Sequence, residues 1–135
     1  TCFSCPHSFI ESFRKISVDT LRLSRLLTSL GTDLLYAFTS QTFDPDATIH
    51  SRAFAPKLGI PEDPATGSAA GAAGAYLSRN KFISKENCEN IFIEQGHMMG
   101  RPSSLFVCVE QNKDEIKSVR VGGESVTLIK GEIST

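Results

Sequence analysis

The residues with the clearest chemical potential are seven consecutive positions near the middle of the chain, residues 62–68 (Glu-Asp-Pro-Ala-Thr-Gly-Ser). They form an acidic turn that opens a helix-forming run of five alanines and two glycines, residues 69–75. The first N–H groups of a helix have no intrahelical partner and carry partial positive charge. A helix start with a carboxylate and a hydroxyl beside it is therefore predicted to bind a small anionic substrate.

Asp63 has two interpretations within this turn. One is a general acid or base, because the pKa of a carboxylate near a helix start can be tuned in either direction. The alternative is that Asp63 and Pro64 only make the turn and cap the helix. The residues alone favour this structural role, since such caps are common.

Gly67 and Ser68 begin the predicted helix, where an anion would approach the free N–H groups. A side chain at Gly67 would obstruct close approach to the backbone, and Ser68 adds a hydroxyl. The alternative is that Thr66 or Ser68 serves only as the helix N-cap. A hydrolase nucleophile at Ser68 is disfavoured because the segment lacks the second glycine of a Gly-x-Ser-x-Gly elbow. The loop also lacks the lysine of a Walker phosphate-binding loop.

The amino-terminal cysteine pair has the spacing of a metal or redox site. Cys2 and Cys5 are separated by two residues, and His7 follows. No second ligand pair at zinc-finger spacing follows, so we interpret the pair as structural rather than metal-binding. Four cysteines are too few and too scattered for a disulfide scaffold, which makes a reducing, cytoplasmic setting the expectation.

The remaining polar candidates give weaker signals. His50 and His97 could line a cleft, but surface or loop roles are expected, and their spacing matches no metal motif. Arg101 lies in a Gly-Arg-Pro-Ser segment that predicts a sharp turn. Carboxylate binding by Arg101 is the alternative to that structural role. No metal site is predicted.

Size and charge place the chain among single-domain soluble proteins. It has 135 residues, of which 40% are hydrophobic and 21% charged. Lys and Arg total 14 against 15 Asp and Glu, so no electrostatic field favours nucleic acid or an anionic membrane. No run is long enough to span a membrane, and no leader peptide is apparent. Because the chain begins at Thr1 rather than Met, the sequence is compatible with a fragment or a processed form.

One amphipathic helix is predicted before the small-residue helix. Asp19 is a suitable N-cap, and Gly31 is a suitable end. Arg22 and Arg25 would point outward, so the helix should lie on the surface by one apolar face. That face consists of leucines at helical spacing: Leu23, Leu26, Leu27 and Leu30.

The patterns in most of the rest of the chain predict strands. Strands are predicted at residues 34–39, 52–54, 91–94, 104–110, 116–121 and 126–129, with an end piece at 131–134. The apolar run 105–109 predicts a strand covered on both faces. Gly71 and Gly74 would let strand backbone approach the small-residue helix, which should extend to about Arg79. The fold class is therefore predicted as α+β, with an antiparallel, barrel-like, half-closed sheet wrapped around this central helix.

These segments resemble one known family. Residues 52–56 (Arg-Ala-Phe-Ala-Pro) followed by 59–69 (Gly-Ile-Pro-Glu-Asp-Pro-Ala-Thr-Gly-Ser-Ala) resemble a signature of the PhzF-like family of phenazine-biosynthesis-related isomerases. Residues 94–96, 99–103 and 119–123 are similar to the family's downstream segments, in the same order. The resemblance covers nearly the whole chain, and the three segments together are specific.

The resemblance implies the diaminopimelate-epimerase fold, in which two similar lobes each wrap a sheet around a central helix and bind substrate between them. It also implies an isomerase that moves a proton on a small carboxylated substrate without metal or nucleotide cofactors. In this family Asp63 would match an acidic residue facing a catalytic glutamate across the cleft. Gly67 and Ser68 would match the pair that holds the substrate carboxylate.

The departure from the family concerns length. Residues 1–135 resemble only the second, carboxy-terminal lobe, and the Gly-Asn-Pro motif of the first lobe is absent from the sequence. We therefore expect an isomerase lobe that needs a first lobe for activity. The alternative is a non-enzymatic module that binds small anions or a protein partner, with a homodimer covering the exposed cleft face. The sequence does not identify the substrate.

Overall fold

The computed structural model of the protein describes residues 9–112 and 115–133. In this part of the chain three α-helices accompany one six-stranded sheet. The helices are α1 (Phe9–Arg14), α2 (Thr20–Ser29) and α3 (Gly67–Arg79). The strands are β1 (Leu35–Thr39), β2 (Ile49–Ala55), β3 (Ile60–Asp63), β4 (Ile91–Gln95), β5 (Ser103–Asn112) and β6 (Glu115–Gly123).

The sheet follows the order β1-β2-β4-β5-β6, and β3 pairs with β2. All pairs are antiparallel except β2 with β4, where Ile49 lies opposite Ile93 in parallel register. This parallel pair differs from the antiparallel sheet that was predicted. It arises because α3 connects the two strands as a crossover, which a parallel connection requires. The α+β class and the curled half-barrel are confirmed.

Helix α3 packs against the sheet through its smallest residues. The added Cβ of an alanine at Gly74 would lie 2.6 Å from Val107 Cγ1, and at Gly71 it would lie 3.0 Å from Val121 Cγ2. The prediction of close approach at the two glycines is therefore correct, but valine side chains make that approach rather than strand backbone. The surrounding core is aliphatic: Ile49, Ala70, Ala73, Leu77, Ile91, Ile93, Leu105, Val107 and Val109.

The helix is not enclosed on all sides, which corrects one expectation. Ser68, Ala72 and Tyr76 follow one another at helical spacing and are exposed. Tyr76 retains half of its accessible surface. The half-barrel therefore covers most of α3 and leaves one stripe of it open to solvent.

Helix α2 begins as predicted. Asp19 is its N-cap, with a side chain that accepts a hydrogen bond from Arg22 N at 3.0 Å. Leu23 and Leu27 are buried in a small cluster with Phe54. The other two leucines of the predicted apolar face, Leu26 and Leu30, are exposed. Only half of that face is used for packing.

Several strand predictions differ from the structure. Strand β1 is half-buried, because it lies at the edge of the sheet. Strand β5 alternates, and Phe106 is exposed, so the expectation of two covered faces is wrong there. Residues 126–129 form no strand, and no regular structure is present over 124–133. In the described ranges no helix is long and apolar enough to cross a membrane.

Candidate functional site

Asp63 is the last residue of β3 and lies four residues before α3 begins. The Thr66 hydroxyl donates a hydrogen bond of 2.6 Å to Asp63 Oδ2. Oδ1 receives no hydrogen bond from the described residues. The side chain is half-buried. One carboxylate oxygen is therefore held in place while the other is available to a ligand or to a second protein surface.

The start of α3 has no side-chain cap. Thr66 occupies the N-cap position, but its hydroxyl turns to Asp63 instead of bonding to the helix. The first intrahelical bond runs from Ala70 N to Thr66 O at 2.9 Å. The N–H groups of Gly67, Ser68 and Ala69 precede that bond and so have no intrahelical acceptor. The three predicted site residues are thus brought to one turn, beside a helix end of partial positive charge.

Protein packing does not require a glycine at position 67. An added Cβ would meet only Val121 Cγ1, at an ordinary contact distance of 3.8 Å. Gly67 is half-buried and Ser68 is exposed, so the described residues cover the first turn of α3 only in part. An open cleft of 490 Å³ lies along the exposed stripe of α3, and Ser68 is one of its lining residues. Its other lining side chains are apolar or aromatic: Leu34, Tyr36, Phe38, Ala69, Ala72, Ala73 and Tyr76.

A fully buried glutamine, Gln95, holds this turn from behind. Its Nε2 donates to the Asp63 carbonyl oxygen at 2.7 Å and to Thr66 Oγ1 at 3.0 Å. Ser51 Oγ donates to the carbonyl oxygen of Glu94 at 3.1 Å and lies 3.4 Å from Gln95 Oε1. Gln95 is not among the site residues predicted from the sequence. The signal was present, since an amide in an apolar strand needs hydrogen-bond partners.

Gly96 allows the strand that carries Gln95 to pass close to the acidic turn. Its φ is +81°, and an added Cβ would lie 2.2 Å from the Arg101 carbonyl oxygen and 2.8 Å from that of Pro64. No side chain fits there, because both neighbours are backbone atoms. Gly96 is therefore required for the packing of residues 95–101 against the turn.

A buried ion pair fixes the other side of the turn. Arg52 Nε and Nη2 donate to the two carboxylate oxygens of Glu62 at 2.8 and 2.9 Å. Arg52 Nη1 also donates to the carbonyl oxygens of Phe13 and Ile16. This bidentate geometry holds the residue directly before Asp63. This pair was not predicted from the sequence, although an arginine inside a buried strand indicates a nearby acidic partner.

Tyr36 joins the same network from the edge strand β1. Its hydroxyl donates to Ser51 Oγ at 2.9 Å. Burial raises the pKa of Tyr36 to about 12, and the hydrogen bond to Ser51 opposes the increase. Tyr36 is therefore neutral at physiological pH and acts as a hydrogen-bond donor.

The other residues considered in the sequence analysis lie elsewhere. His50 is fully buried in β2, which corrects the expectation of a surface or loop position. Burial lowers the pKa of His50, and the nearby Glu94 carboxylate opposes that decrease. His97 is half-buried in a turn, and Arg101 is exposed. Among the described residues, the group suited to holding a metal consists of His50, Glu94 and His97 and does not include Asp63. Outside the described residues lie Cys2, Cys5 and His7.

Comparison with known proteins identifies relatives over most of the chain. The family described as phenazine biosynthesis-like protein (PhzC-PhzF) matches residues 8–131. An uncharacterized isomerase of Clostridium acetobutylicum is 34% identical over 125 residues, which is 92% of this chain and 41% of that protein. A trans-2,3-dihydro-3-hydroxyanthranilate isomerase of Pseudomonas chlororaphis is 43% identical over 83 residues, which is 62% of this chain and 29% of that protein.

The fold has a counterpart among solved structures. The Bacillus anthracis phenazine biosynthesis protein of the PhzF family superposes with a TM-score of 0.63 at 18% identity. The match covers 83% of this chain and 38% of that chain. The present chain thus spans less than half of the length of these relatives. From the sequence match over residues 8–131, the chain belongs to the phenazine biosynthesis-like (PhzC-PhzF) protein family.

Proposed function

We propose that this chain is the carboxy-terminal lobe of a cofactor-independent isomerase that transfers a proton on a small carboxylated substrate. In this proposal the N–H groups of Gly67 and Ser68, with the Ser68 hydroxyl, bind the substrate carboxylate. Asp63 holds or relays the transferred proton. A first lobe, on a longer natural chain or on another polypeptide, closes the cleft and supplies the second acid–base group.

The observation that carries the proposal is the hydrogen bond from Thr66 to Asp63 at the uncapped start of α3. This bond orients the Asp63 carboxylate. Because it also keeps the Thr66 hydroxyl from capping α3, the N–H groups at the helix start remain free for an anion. A bound carboxylate would gain from the helix dipole and from N–H donors already aimed at it. Close approach of the ligand then explains the glycine at position 67, which protein packing does not require.

The family supports an enzyme over the non-enzymatic binding module. The Pseudomonas relative is named as an isomerase of trans-2,3-dihydro-3-hydroxyanthranilate, which is a small carboxylate. A substrate of the same class, with a carboxylate near the carbon that loses or gains the proton, suits the present site. The open stripe along α3 is where a first lobe would provide the other wall of the cleft.

The test is solvent deuterium incorporation in a two-lobed protein that joins this chain to a first lobe. With trans-2,3-dihydro-3-hydroxyanthranilate as first probe and other small carboxylates after it, Asp63→Asn should slow incorporation about 10²–10⁴-fold, as expected for loss of a general acid–base group. Asp46→Asn is the matched control, because Asp46 is also an aspartate but is exposed on a loop. Equal rates for the parent and Asp63→Asn would make Asp63 merely structural.

A further inference from the structure

A second polar group lies in the body of the domain and is not used by the proposed isomerase site. His50 on β2 and Glu94 on β4 retain 0% and 2% of their accessible surface. His50 Nδ1 lies 2.9 Å from Glu94 Oε1. His97, in the turn after β4, places its ring centroid 5.2 Å from that of His50. One candidate ligand atom on each of the three residues lies within 4.8 Å of the others.

The surroundings of Glu94 settle which nitrogen of His50 is free. The carboxylate accepts hydrogen bonds from Phe43 N at 2.7 Å and Asp44 N at 3.0 Å. An ionised carboxylate can only accept, so His50 Nδ1 must be the donor to Glu94. In a neutral imidazole the other nitrogen, Nε2, then carries a lone pair. A carboxylate that fixes the tautomer of a histidine in this way is the usual outer partner of a metal-ligating imidazole.

Two imidazole nitrogens in this cluster are buried without a hydrogen-bond partner. They are His50 Nε2 and His97 Nδ1. Leaving a buried polar atom unpaired is unfavourable, and such atoms are rare in folded proteins. Both atoms are therefore available to a species that is not part of the polypeptide.

The rings are also held rigidly. Phe43 stacks on His97 with centroids 4.8 Å apart and meets the edge of His50 at 5.2 Å. Phe13 packs against the other side of His50 at 5.6 Å. On the open side, a cavity of 260 Å³ is lined by Asp44, Glu94, His97 and neighbouring residues, which gives room for water.

We propose that His50 Nε2 and His97 Nδ1 bind a divalent transition-metal ion, with Glu94 orienting His50 and water from the adjoining cavity completing the coordination. Imidazole nitrogen is a preferred ligand of Zn²⁺ and Co²⁺. The ion would link the central strand β2 to the turn that follows β4. His97 is the first residue of that turn and comes directly after Gln95 and Gly96. The proposal does not depend on the isomerase activity.

The experiment measures Zn²⁺ binding by titration calorimetry and Co²⁺ binding by visible absorption. It uses the full chain carrying Cys2→Ser and Cys5→Ser, so that the amino-terminal thiolates cannot contribute. The chain has three histidines, which provides a matched control. The His7→Ala variant should retain one bound ion. The His97→Ala variant should lose it, and Glu94→Gln should weaken it about 10–100-fold, as outer partners of metal ligands do.

A second measurement uses the protein that carries Cys2→Ser and Cys5→Ser and keeps all three histidines. Its result does not depend on whether the histidine and glutamate variants fold. On addition of Zn²⁺, the imidazole ¹⁵N resonances of His50 Nε2 and His97 Nδ1 should shift, while those of His7 should not. The proposal is overturned if no ion binds this protein. It is also overturned if His97→Ala binds as tightly as His7→Ala, or if the ¹⁵N shifts fall on His7 instead.

Discussion

At the scale of single residues, the arrangement around Asp63 is set by a few hydrogen bonds whose donors can be changed one at a time. Thr66 is the nearest of these donors, and its side chain is buried. Because the same hydroxyl accepts from Gln95, the threonine couples the carboxylate to the network behind it.

We predict that Thr66→Val lowers the free energy of unfolding by about 1.5–3 kcal/mol, the range for a hydrogen bond to a charged group. Thr66→Ser retains the hydroxyl and should restore most of that loss. Urea denaturation of the 135-residue chain measures both variants. Equal stability of the valine and serine variants would show that the bond to Asp63 contributes nothing.

The ion pair between Arg52 and Glu62 is the second residue-scale feature, and it should dominate the stability of the turn. The two side chains retain only 7% and 16% of their accessible surface. Arg52→Met should lower the free energy of unfolding by about 3–5 kcal/mol, because it leaves Glu62 as an uncompensated, mostly buried charge.

The matched control for that prediction is Arg22→Met. Arg22 also pairs with a carboxylate, that of Asp19, but these side chains retain 87% and 56% of their accessible surface. Exposed pairs contribute about 0–1 kcal/mol. A small effect in both variants would contradict the view that Arg52 holds the acidic turn.

Tyr36 gives a prediction for pH. Its pKa is about 12 in the folded protein, against 10.0 for an unperturbed tyrosine. Between these values the unfolded chain releases the tyrosine proton and the folded protein retains it, so the free energy of unfolding decreases as pH rises. The decrease should be at most about 2–3 kcal/mol, at about 1.4 kcal/mol per pH unit.

Alkaline denaturation of the parent and of Tyr36→Phe measures this effect. The other tyrosine, Tyr76, is present in both proteins, so the difference between the two curves reports Tyr36 alone. The difference should be constant below pH 10, change by about 2–3 kcal/mol between pH 10 and 12, and stay constant above that range. A constant difference across all pH values would mean that Tyr36 does not titrate in that range.

At the scale of elements, the small-residue composition of α3 is explained by the valines that face it. Gly74→Ala would gain about 1 kcal/mol from helix propensity. The new methyl group, however, would lie 2.6 Å from Val107 Cγ1, and overpacking of a core typically costs about 1–3 kcal/mol. We therefore predict a net loss of stability for Gly74→Ala.

Gly67→Ala is the matched control, because its methyl group would lie at an ordinary 3.8 Å from Val121 Cγ1. Its stability should stay close to that of the parent. The double variant Gly74→Ala/Val107→Ala should be less destabilised than the sum of the single changes, since the clash is removed. Additive losses would rule out the contact with Val107 as the cause.

The sequence predicted α3 well because its composition leaves no other arrangement for an alanine and glycine helix. It predicted α2 from its N-cap and leucine spacing, but it could not tell that Leu26 and Leu30 would stay exposed. The sequence predicts a turn instead of strand β3, because Pro61, Glu62 and Asp63 disfavour a strand. Its pairing with β2 and the ion pair from Arg52 to Glu62 outweigh those propensities.

The candidate site was also predictable only in part. Asp63, Gly67 and Ser68 are adjacent in sequence, so local spacing and the family resemblance were enough to select them. Gln95 and Arg52 reach the turn from other strands, and such contacts depend on sheet order. The encounter of His50 with His97 likewise follows from the parallel pairing of β2 and β4, which no local pattern indicated.

At the scale of the whole molecule, the half-barrel presents one uncovered stripe of α3 and an uncapped helix start. The chain spans less than half of the length of the relatives that it matches. This length fits a lobe whose cleft is completed by another lobe. The exposed apolar residues that follow β6, including Val126, Leu128 and Ile129, add to the surface that the 135-residue chain leaves uncovered.

The most direct measurement is a backbone amide NMR titration of this chain with lactate and benzoate. The account predicts saturable shifts of the Gly67, Ser68 and Ala69 amides in the parent and in Gly131→Val, whose substitution site has open space around it. The same shifts should be absent in Gly67→Val. Unmoved amides in the parent, or equal affinity in Gly67→Val, would contradict a carboxylate site at the start of α3.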